Sequence, residues 1–399
     1  MPRIYQAKYL ATMAAGAGVI ENAGLAVESG RVLDAGPLKM MRDDVGGDVV
    51  DLGEVLVTPG LVNAHTHLEM SLHRPGEPPA SFGEWLGRIA GSAGEWKPAE
   101  AAAVGAEESL RFGVTHVGDI TQFPDQTRPA TATSKLAGVS FAEVLGIGPA
   151  QSRADAKLDS AVVAPTGEGR WTYGITPHAP YTVSLETTRR AVRAAAGRPL
   201  AMHIAESTEE AQFVRTVTGP LASVWERFDG WDPSIVKRFD GSPIAWAEAA
   251  GLLDTGAVLA HVNYLQPGDL DRLRDGRSTV AYCPRTHAWF GHPPHPFREM
   301  MAAGVSVCLA TDGRGTAPDL NLLAEAAKVL ADHPDLDPMT LWTMITVMPA
   351  TALELRAGSL LPGRAATFNV WPVSGSRPLE TVIRRAERPS SVYVEGRRI

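Results

Sequence analysis

The segment VNAHTHLEMS, residues 62–71, carries two histidines one residue apart at the end of an apolar run. In a β-strand, residues i and i+2 point to the same side of the sheet, so His65 and His67 can direct two imidazoles at one point. Such a pair can hold a metal ion, although a lone His-x-His motif more often consists of surface or core histidines. A metal site therefore requires further ligands elsewhere in the chain.

The middle of the chain has the pattern of an α/β barrel. Between about residues 58 and 354, aliphatic runs alternate with helical segments rich in Ala, Glu and Arg, which predicts parallel βαβ units. The candidate strands end near LVNAHTH, VTHVGDI, VSFAEVLG, WTYGITPH, LAMHIAE, AVLAHVN, TVAYCPRTH and VCLATD. Eight such units close a (β/α)8 TIM-like barrel, which we predict over residues 58–354.

The two ends of the chain have a different pattern. Residues 1–57 and 355–399 contain short β-like runs separated by glycine turns, such as GLAVESGRVLDAG and SSVYVEGRRI. We therefore predict a small β-sandwich domain that is built from both ends and flanks the barrel.

Chemically active residues fall at or just after the predicted strands, where a barrel forms its active-site face. His65, His67, His203 and Asp312 would supply three nitrogens and one carboxylate to a zinc-like ion. Each of the four side chains could instead cap a helix or bond to the backbone. One metal site would explain all four side chains together, whereas capping or backbone bonding would need a separate explanation for each.

Glu206 and His261 are the candidate catalytic side chains beside these ligands. Glu206 follows a ligand strand in HIAE, where its carboxyl can move a proton between bound water and substrate. Alternatively, Glu206 could lie in the first turn of a helix, where its negative charge interacts favourably with the helix dipole. His261, in LAHVNYL, is placed to hydrogen-bond a metal-activated hydroxide.

The motifs PGLVNAHTHLEMS, PHAPYTVS, HIAES, LAHVNYL, YCPRTHAWFGHPPHPF and LATDGRGTAPDLNLL follow one another over almost the whole chain. This set resembles the amidohydrolase superfamily, specifically its deaminase and chlorohydrolase branch. The resemblance implies that the four candidate ligands bind the metal, that Glu206 is the proton shuttle, and that His261 assists the attacking water. It also implies that Asp312 accepts a proton from that water. Many two-metal relatives carry a carboxylated lysine where this chain reads RWTYGITPHAP, so a single divalent metal is expected.

The resemblance implies hydroxide attack on a ring carbon that bears an amino group, followed by release of ammonia. The motifs are most similar to those of deaminases of adenine-type nucleosides, including the aminodeoxyfutalosine, adenosylhomocysteine and methylthioadenosine deaminases. An aminopurine-type nucleoside is therefore the expected substrate. The candidate substrate contacts are Glu69, Phe82, Trp85, His178, His287 and Arg314. Each of these side chains could instead serve in core packing or in hydrogen bonds that stabilise a loop.

Other functions stay open at this point. A hydrolase of chlorinated or alkylamino triazines would use the same ligands, and a non-catalytic relative could keep the fold for assembly. The segment TDGRGTAPD departs from the family pattern, because Gly313 replaces the usual serine and Arg314 adds a cation beside Asp312. Arg314 could bind an anionic group of the substrate, or it could point away and pair with Asp319.

The amino-acid composition limits the possible binding partners and the possible cellular compartment. The formal net charge is -8, with 45 acidic against 37 basic residues, which argues against a nucleic-acid partner. No apolar run is long enough to span a membrane. Two cysteines indicate a reducing cytoplasm, and the family resemblance implies a homo-oligomer. Zinc is the expected metal, although the same ligands also suit iron or manganese.

Overall fold

The computed structural model describes residues 1–92, 95–226 and 239–399. In chain order the strands are β1 (Arg3–Leu10), β2 (Ile20–Glu28), β3 (Arg31–Pro37), β4 (Asp48–Asp51), β5 (Val55–Pro59), β6 (Leu61–Thr66), β7 (Val114–Thr121), β8 (Ala137–Val144), β9 (Gly167–Glu168), β10 (Trp171–Pro177), β11 (Ala201–Ile204), β12 (Val258–His261), β13 (Thr279–Tyr282), β14 (Ser306–Leu309), β15 (Phe368–Pro372), β16 (Ser391–Val394) and β17 (Arg397–Arg398).

The helices alternate with the strands through the middle of the chain. They are α1 (Leu38–Asp44), α2 (Phe82–Gly91), α3 (Pro98–Arg111), α4 (Pro124–Ala132), α5 (Gln151–Val163), α6 (Leu185–Ala195), α7 (Thr208–Thr216), α8 (Pro220–Glu226), α9 (Pro243–Ala249), α10 (Asp269–Asp275), α11 (Pro284–Trp289), α12 (Phe297–Ala302), α13 (Leu322–Asp332), α14 (Pro338–Met344), α15 (Val347–Ala352) and α16 (Pro378–Arg385). The predicted α/β class is confirmed. No helix within the described ranges combines the length and hydropathy needed to cross a bilayer.

Strands from both chain ends form one eight-stranded sheet. Its order is β17-β16-β15-β5-β1-β2-β3, and β4 pairs with β1. The antiparallel pairing of β5 with β15 joins the two ends, with Val57 opposite Val370. Tyr5 and Phe368 then pack edge to face with ring centroids 5.1 Å apart. Both chain ends therefore contribute strands to one sheet and side chains to one apolar cluster.

All eight strands predicted for the central region are present. β6, β7, β8 and β10 pair in parallel in one sheet, and β11, β12, β13 and β14 pair in parallel in a second. Parallel bridges join the two sheets, because Thr66 pairs with Asp312 and Ile175 pairs with Leu200. The carboxyl ends of the eight strands therefore point in one direction.

The strands share a buried core. Every residue of β6 is buried, as expected for a parallel strand that is covered on both faces. One apolar cluster includes Val62 of β6, Phe141 of β8, Val258 of β12 and Cys308 of β14. This cluster fixes the strands relative to one another and so fixes the positions of the residues that follow them.

Several helices begin at a side chain that the sequence supplies for that purpose. Ser184 accepts a hydrogen bond from the Thr187 N–H at the start of α6, and Ser207 accepts one from Glu210 N–H at the start of α7. Such caps satisfy amide groups that have no partner inside the helix. The cap at Ser207 also ends the short turn that holds Glu206.

Candidate metal and catalytic site

Four potential ligands converge at the carboxyl ends of β6, β11 and β14. His65 Nε2 lies 3.4 Å from Asp312 Oδ1, and His67 Nε2 lies 3.6 Å from the same oxygen. The Nε2 atoms of His67 and His203 are 3.1 Å apart. Residues separated by more than two hundred positions thus form one cluster.

The donor set of this cluster fits a divalent metal ion. Both ring nitrogens of His65 are buried and have no hydrogen-bond partner within the described ranges. Buried polar atoms without partners are uncommon in native proteins, and an ion is one explanation for them. Three imidazoles and one carboxylate form a common ligand set for zinc. His65, His67, His203 and Asp312 could therefore hold one such ion together.

Neighbouring side chains hold the candidate ligands in place. Thr316 Oγ1 donates to Asp312 Oδ2 at 3.0 Å, and Thr66 Oγ1 donates to the Asp312 carbonyl at 3.0 Å. Asp119 Oδ1 accepts from the Leu68 N–H at 2.9 Å, directly after His67. Partners of this kind orient ligands and tune their basicity. No sequence pattern pointed to Thr316, because it lies in an irregular segment.

Glu206 and His261 form a buried pair beside the cluster. Glu206 Oε1 lies 3.5 Å from His261 Nε2. Burial raises the pKa of Glu206 well above its ordinary value, and the charges of Asp312 and Glu210 add to the shift. Burial lowers the pKa of His261 to about 3. Burial therefore favours the protonated form of the Glu206 carboxyl and the uncharged form of the His261 imidazole.

The backbone around this pair is tightly held. The Glu206 N–H donates to Glu210 Oε2 at 2.8 Å, and Asn263 Nδ2 donates to the Glu206 carbonyl at 2.9 Å. His261 adopts a left-handed conformation with φ of 75°. Its carbonyl accepts a hydrogen bond from His295 Nε2 at 2.9 Å. Left-handed backbone at a residue other than glycine is costly and persists where the surroundings enforce it.

A cavity opens above the cluster. Its wall combines apolar and aromatic side chains with carboxyls, amides and imidazoles, as is typical of small-molecule sites. The lining residues are His67, Glu69, Met70, Trp85, Leu86, Ile89, Trp96, Gln122, Glu143, His178, Tyr181, His203, Glu206, His261, Asp312, Gly313, Gly315 and Thr316.

Three of the six candidate substrate contacts line this cavity. Trp85 contributes an aromatic surface, and His178 contributes an imidazole whose Nδ1 lies 2.6 Å from Thr182 Oγ1. Glu69 also reaches the wall, but Thr121 Oγ1 donates to its carboxylate at 2.6 Å and the Gln122 N–H donates at 3.1 Å. Burial raises the pKa of Glu69 to about 7.

The other three candidates lie elsewhere among the described residues. Phe82 packs against Trp85, with ring centroids 5.6 Å apart. His287 is buried beside His292, with ring centroids 5.3 Å apart. Arg314 turns away from the cavity, because its guanidinium lies 3.2 Å from a Glu108 carboxylate oxygen and 3.2 Å from the Ser71 carbonyl.

Arg314 therefore pairs with Glu108 on α3, and Asp319, the partner considered from sequence, pairs with Arg285 at 2.8 Å.

Sequence reasoning gave no role to several residues of the cavity wall. Glu143 ends β8, and its Oε1 lies 3.8 Å from His178 Nε2. Burial raises the pKa of Glu143 to about 7, although the charge of Lys157 opposes the shift. Glu143 was recognisable as a strand-end acid, whereas nothing in the sequence of α5 marks Lys157. Gln122, Trp96 and Tyr181 also line the cavity.

Comparison with known proteins gives a consistent set of similarities. The model of the Amidohydrolase family matches residues 56–399. A 5-methylthioadenosine/S-adenosylhomocysteine deaminase from Nitratidesulfovibrio vulgaris (strain Miyazaki F) is 30% identical over 393 residues, which covers 93% of this chain and 84% of the relative. An aminodeoxyfutalosine deaminase from Deinococcus radiodurans is 29% identical over 336 residues, covering 80% of this chain and 78% of the relative.

A solved structure has the same fold. The crystal structure of Helicobacter pylori aminofutalosine deaminase in complex with methylthio-coformycin superimposes with a TM-score of 0.88. The alignment covers 100% of both chains at 21% sequence identity.

Proposed function

This chain belongs to the amidohydrolase family, and from that premise we propose that it is a metal-dependent hydrolytic deaminase of an aminopurine-type nucleoside. The observation that carries the proposal is the buried pair of Glu206 and His261 beside the cluster of three histidines and Asp312. A protonated acid next to a metal cluster suits a reaction in which a ring nitrogen must gain a proton.

His65, His67, His203 and Asp312 would hold one divalent metal, and zinc suits this donor set. When bound, the metal supplies Lewis-acid activation of water. A single metal is supported by the sequence RWTYGITPHAP at the fourth central strand, which contains no lysine for a bridging ligand.

The side chains of this site have distinct roles in the proposed reaction. Glu206 donates its proton to the ring nitrogen while water adds to the adjacent carbon. His261, uncharged and 3.5 Å from Glu206, orients the attacking water through a hydrogen bond. Asp312 accepts a proton from that water. The proton on Asp312 then passes to the amino group, and collapse of the tetrahedral adduct to a carbonyl breaks the carbon–nitrogen bond and releases ammonia, while the hydroxyl proton returns to Glu206.

The choice of an aminopurine nucleoside rests on the relatives and on the cavity wall. Both curated relatives reported above are named as deaminases of adenine-type nucleosides. Trp85 offers a flat ring to stack on a purine, and Phe82 supports Trp85 from behind. His178 and Glu69 are the proposed polar contacts at the wall. Arg314 and His287 have only an indirect role in this proposal, through the loops that they hold.

The same arrangement supports a finer account of the architecture. The two parallel bridges between the central sheets support closure into a (β/α)8 barrel over residues 58–354. Residues 1–57 and 355–399 would then form the accompanying β-sandwich.

Cys283 and Cys308 are both free and buried, which agrees with a reducing cytoplasm. A homo-oligomer is proposed from family resemblance.

Release of ammonia tests the proposed function. Purified, zinc-loaded protein is assayed with aminodeoxyfutalosine, adenosylhomocysteine, methylthioadenosine, adenosine, guanine and a melamine-type triazine. We expect turnover of at least one aminopurine nucleoside and a loss of roughly 1,000-fold or more in Glu206→Gln, because the variant cannot donate the proton. Glu107→Gln, an exposed glutamate on α3, is the matched control and should behave as wild type.

Turnover of the triazine alone would show that the substrate is a triazine-like ring and not an aminopurine nucleoside. Silence on the whole panel by protein that has bound its metal would refute the proposal.

A further inference from the structure

The wall of the cavity contains an acceptor that the reaction above does not use. Glu143 is 4% exposed, lines the cavity and ends β8. Its Oε1 atom is fully buried and has no hydrogen-bond partner among residues 1–92, 95–226 and 239–399. A buried carboxylate oxygen without a partner destabilises the folded chain, so such an atom in a binding cavity indicates a missing donor.

The protein groups nearest to this oxygen do not supply that donor. His178 Nε2 is 3.8 Å away, which is too long for a hydrogen bond. Lys157 influences the carboxylate through its charge, but it is not among the described residues that line the cavity. Glu69 differs from Glu143, because Thr121 Oγ1 and the Gln122 N–H donate to its carboxylate, whereas the Gln122 side chain that acts on the Glu143 carboxylate leaves Oε1 without a partner.

The charge of the wall limits what can donate to Glu143. Glu69, Glu143 and Glu206 all face the cavity, and the described lining contains no lysine or arginine. An anionic group of a substrate would meet no cationic side chain at this position, whereas a hydroxyl group can donate a hydrogen bond to the oxygen.

This step rests on the proposed function. In an aminopurine nucleoside, the amino group must lie at the reacting carbon, close to Glu206 and Asp312. The donors that remain are the hydroxyl groups of the sugar. We infer that Glu143 accepts a hydrogen bond from a ribosyl hydroxyl and selects hydroxylated nucleosides over deoxygenated ones.

Paired substrates and paired variants test the inference. The kcat/KM for ammonia release is measured with adenosine, 2′-deoxyadenosine, 3′-deoxyadenosine and 2′,3′-dideoxyadenosine. Glu143→Leu should lose roughly 10- to 100-fold on adenosine and less than about 3-fold on the dideoxy compound, since only adenosine loses a bond to a charged acceptor. Glu143→Gln keeps a neutral acceptor and should recover part of the loss. Glu107→Gln is again the control.

Thermal unfolding provides a readout that does not depend on turnover. Because both variants remove a buried oxygen that lacks a partner in the free enzyme, neither should lower the midpoint, and Glu143→Leu should raise it by a few degrees.

The outcomes separate the two proposals. An equal loss on all four nucleosides, no loss on any of them, or a lowered unfolding midpoint would overturn the role of Glu143 and leave the deaminase in place. A wild-type enzyme that releases ammonia from none of the panel would overturn the proposed function and this inference together.

Discussion

Glu206 and Asp312 are both buried carboxyls at strand ends, yet their surroundings move their pKa values in opposite directions. Burial and the neighbouring acids Asp312 and Glu210 raise the pKa of Glu206. Burial would also raise the pKa of Asp312, but the neighbouring imidazoles of His65, His261 and His67 lower it. In the proposed reaction Glu206 is the proton donor and Asp312 is the proton acceptor, and such a separation by environment is how one fold performs acid and base chemistry at neutral pH.

At the same scale, His295 provides a prediction about positioning. It lies in the GHPPHP segment, is 7% exposed and stacks on Tyr282 with ring centroids 3.8 Å apart. Its hydrogen bond holds the carbonyl of His261, whose left-handed backbone costs about 1–3 kcal/mol. His295→Ala should therefore lower kcat roughly 10-fold and change KM by less than about 2-fold, because small displacements of reacting groups slow the chemical step.

Steady-state kinetics with matched metal content measure this effect. His295→Gln retains an N–H donor and should recover most of the turnover. Equal losses in both variants, or a loss confined to KM, would contradict a positioning role for His295.

At the scale of secondary structure elements, side chains tie helices together around the strands. Asn321 caps α13, because its Oδ1 accepts from the Leu323 and Ala324 N–H groups at 3.1 and 3.3 Å. Its Nδ2 donates to the Ala386 carbonyl at 2.7 Å, where α16 ends. One residue therefore satisfies backbone groups of two helices.

This double role predicts a graded loss of stability. Asn321→Ala should lower the free energy of unfolding by about 2 kcal/mol, since both the cap and the bond to Ala386 are lost. Asn321→Asp keeps the cap and should cost about half as much. Denaturant unfolding measures both variants, and kcat/KM should stay within about 2-fold of wild type. An aspartate variant as unstable as the alanine variant would show that the cap contributes nothing.

The strands and the convergence of the candidate ligands could be predicted from the sequence, because both follow from patterns that do not depend on how individual side chains pack. Aliphatic runs alternate with helical segments, and parallel strands bring their carboxyl ends to one face. His65 and Asp312 are 247 positions apart, yet this rule alone placed them together.

The directions of individual side chains could not be predicted in the same way. Arg314 follows Asp312 by two residues, but the left-handed φ of 58° at Asp312 and the carboxylate of Glu108 turn it away from the cavity. Lys157 influences Glu143 from the middle of α5, and Thr316 bonds Asp312 from a loop. Such contacts depend on how distant elements pack, and no local pattern encodes that packing.

At the scale of the whole molecule, the fold brings four candidate ligands and one acid–imidazole pair to a single point. Three central strands, β6, β11 and β12, carry His65, His203 and His261, and both bridges between the central sheets are parallel. The cluster also leaves buried ring nitrogens of His65 without a partner in the described ranges. Metal binding should therefore add to stability, because a ligand that binds only the folded chain shifts the folding equilibrium.

The most direct test of the account is a metal titration followed by ammonia release. Chelator-treated protein is titrated with Zn²⁺ and assayed with the aminopurine nucleoside that gives the highest turnover. We predict no activity without metal, a linear rise that ends at one equivalent per chain, and a higher unfolding midpoint at that point. Full activity in the presence of the chelator, or a rise that continues to two equivalents, would contradict a single-metal deaminase.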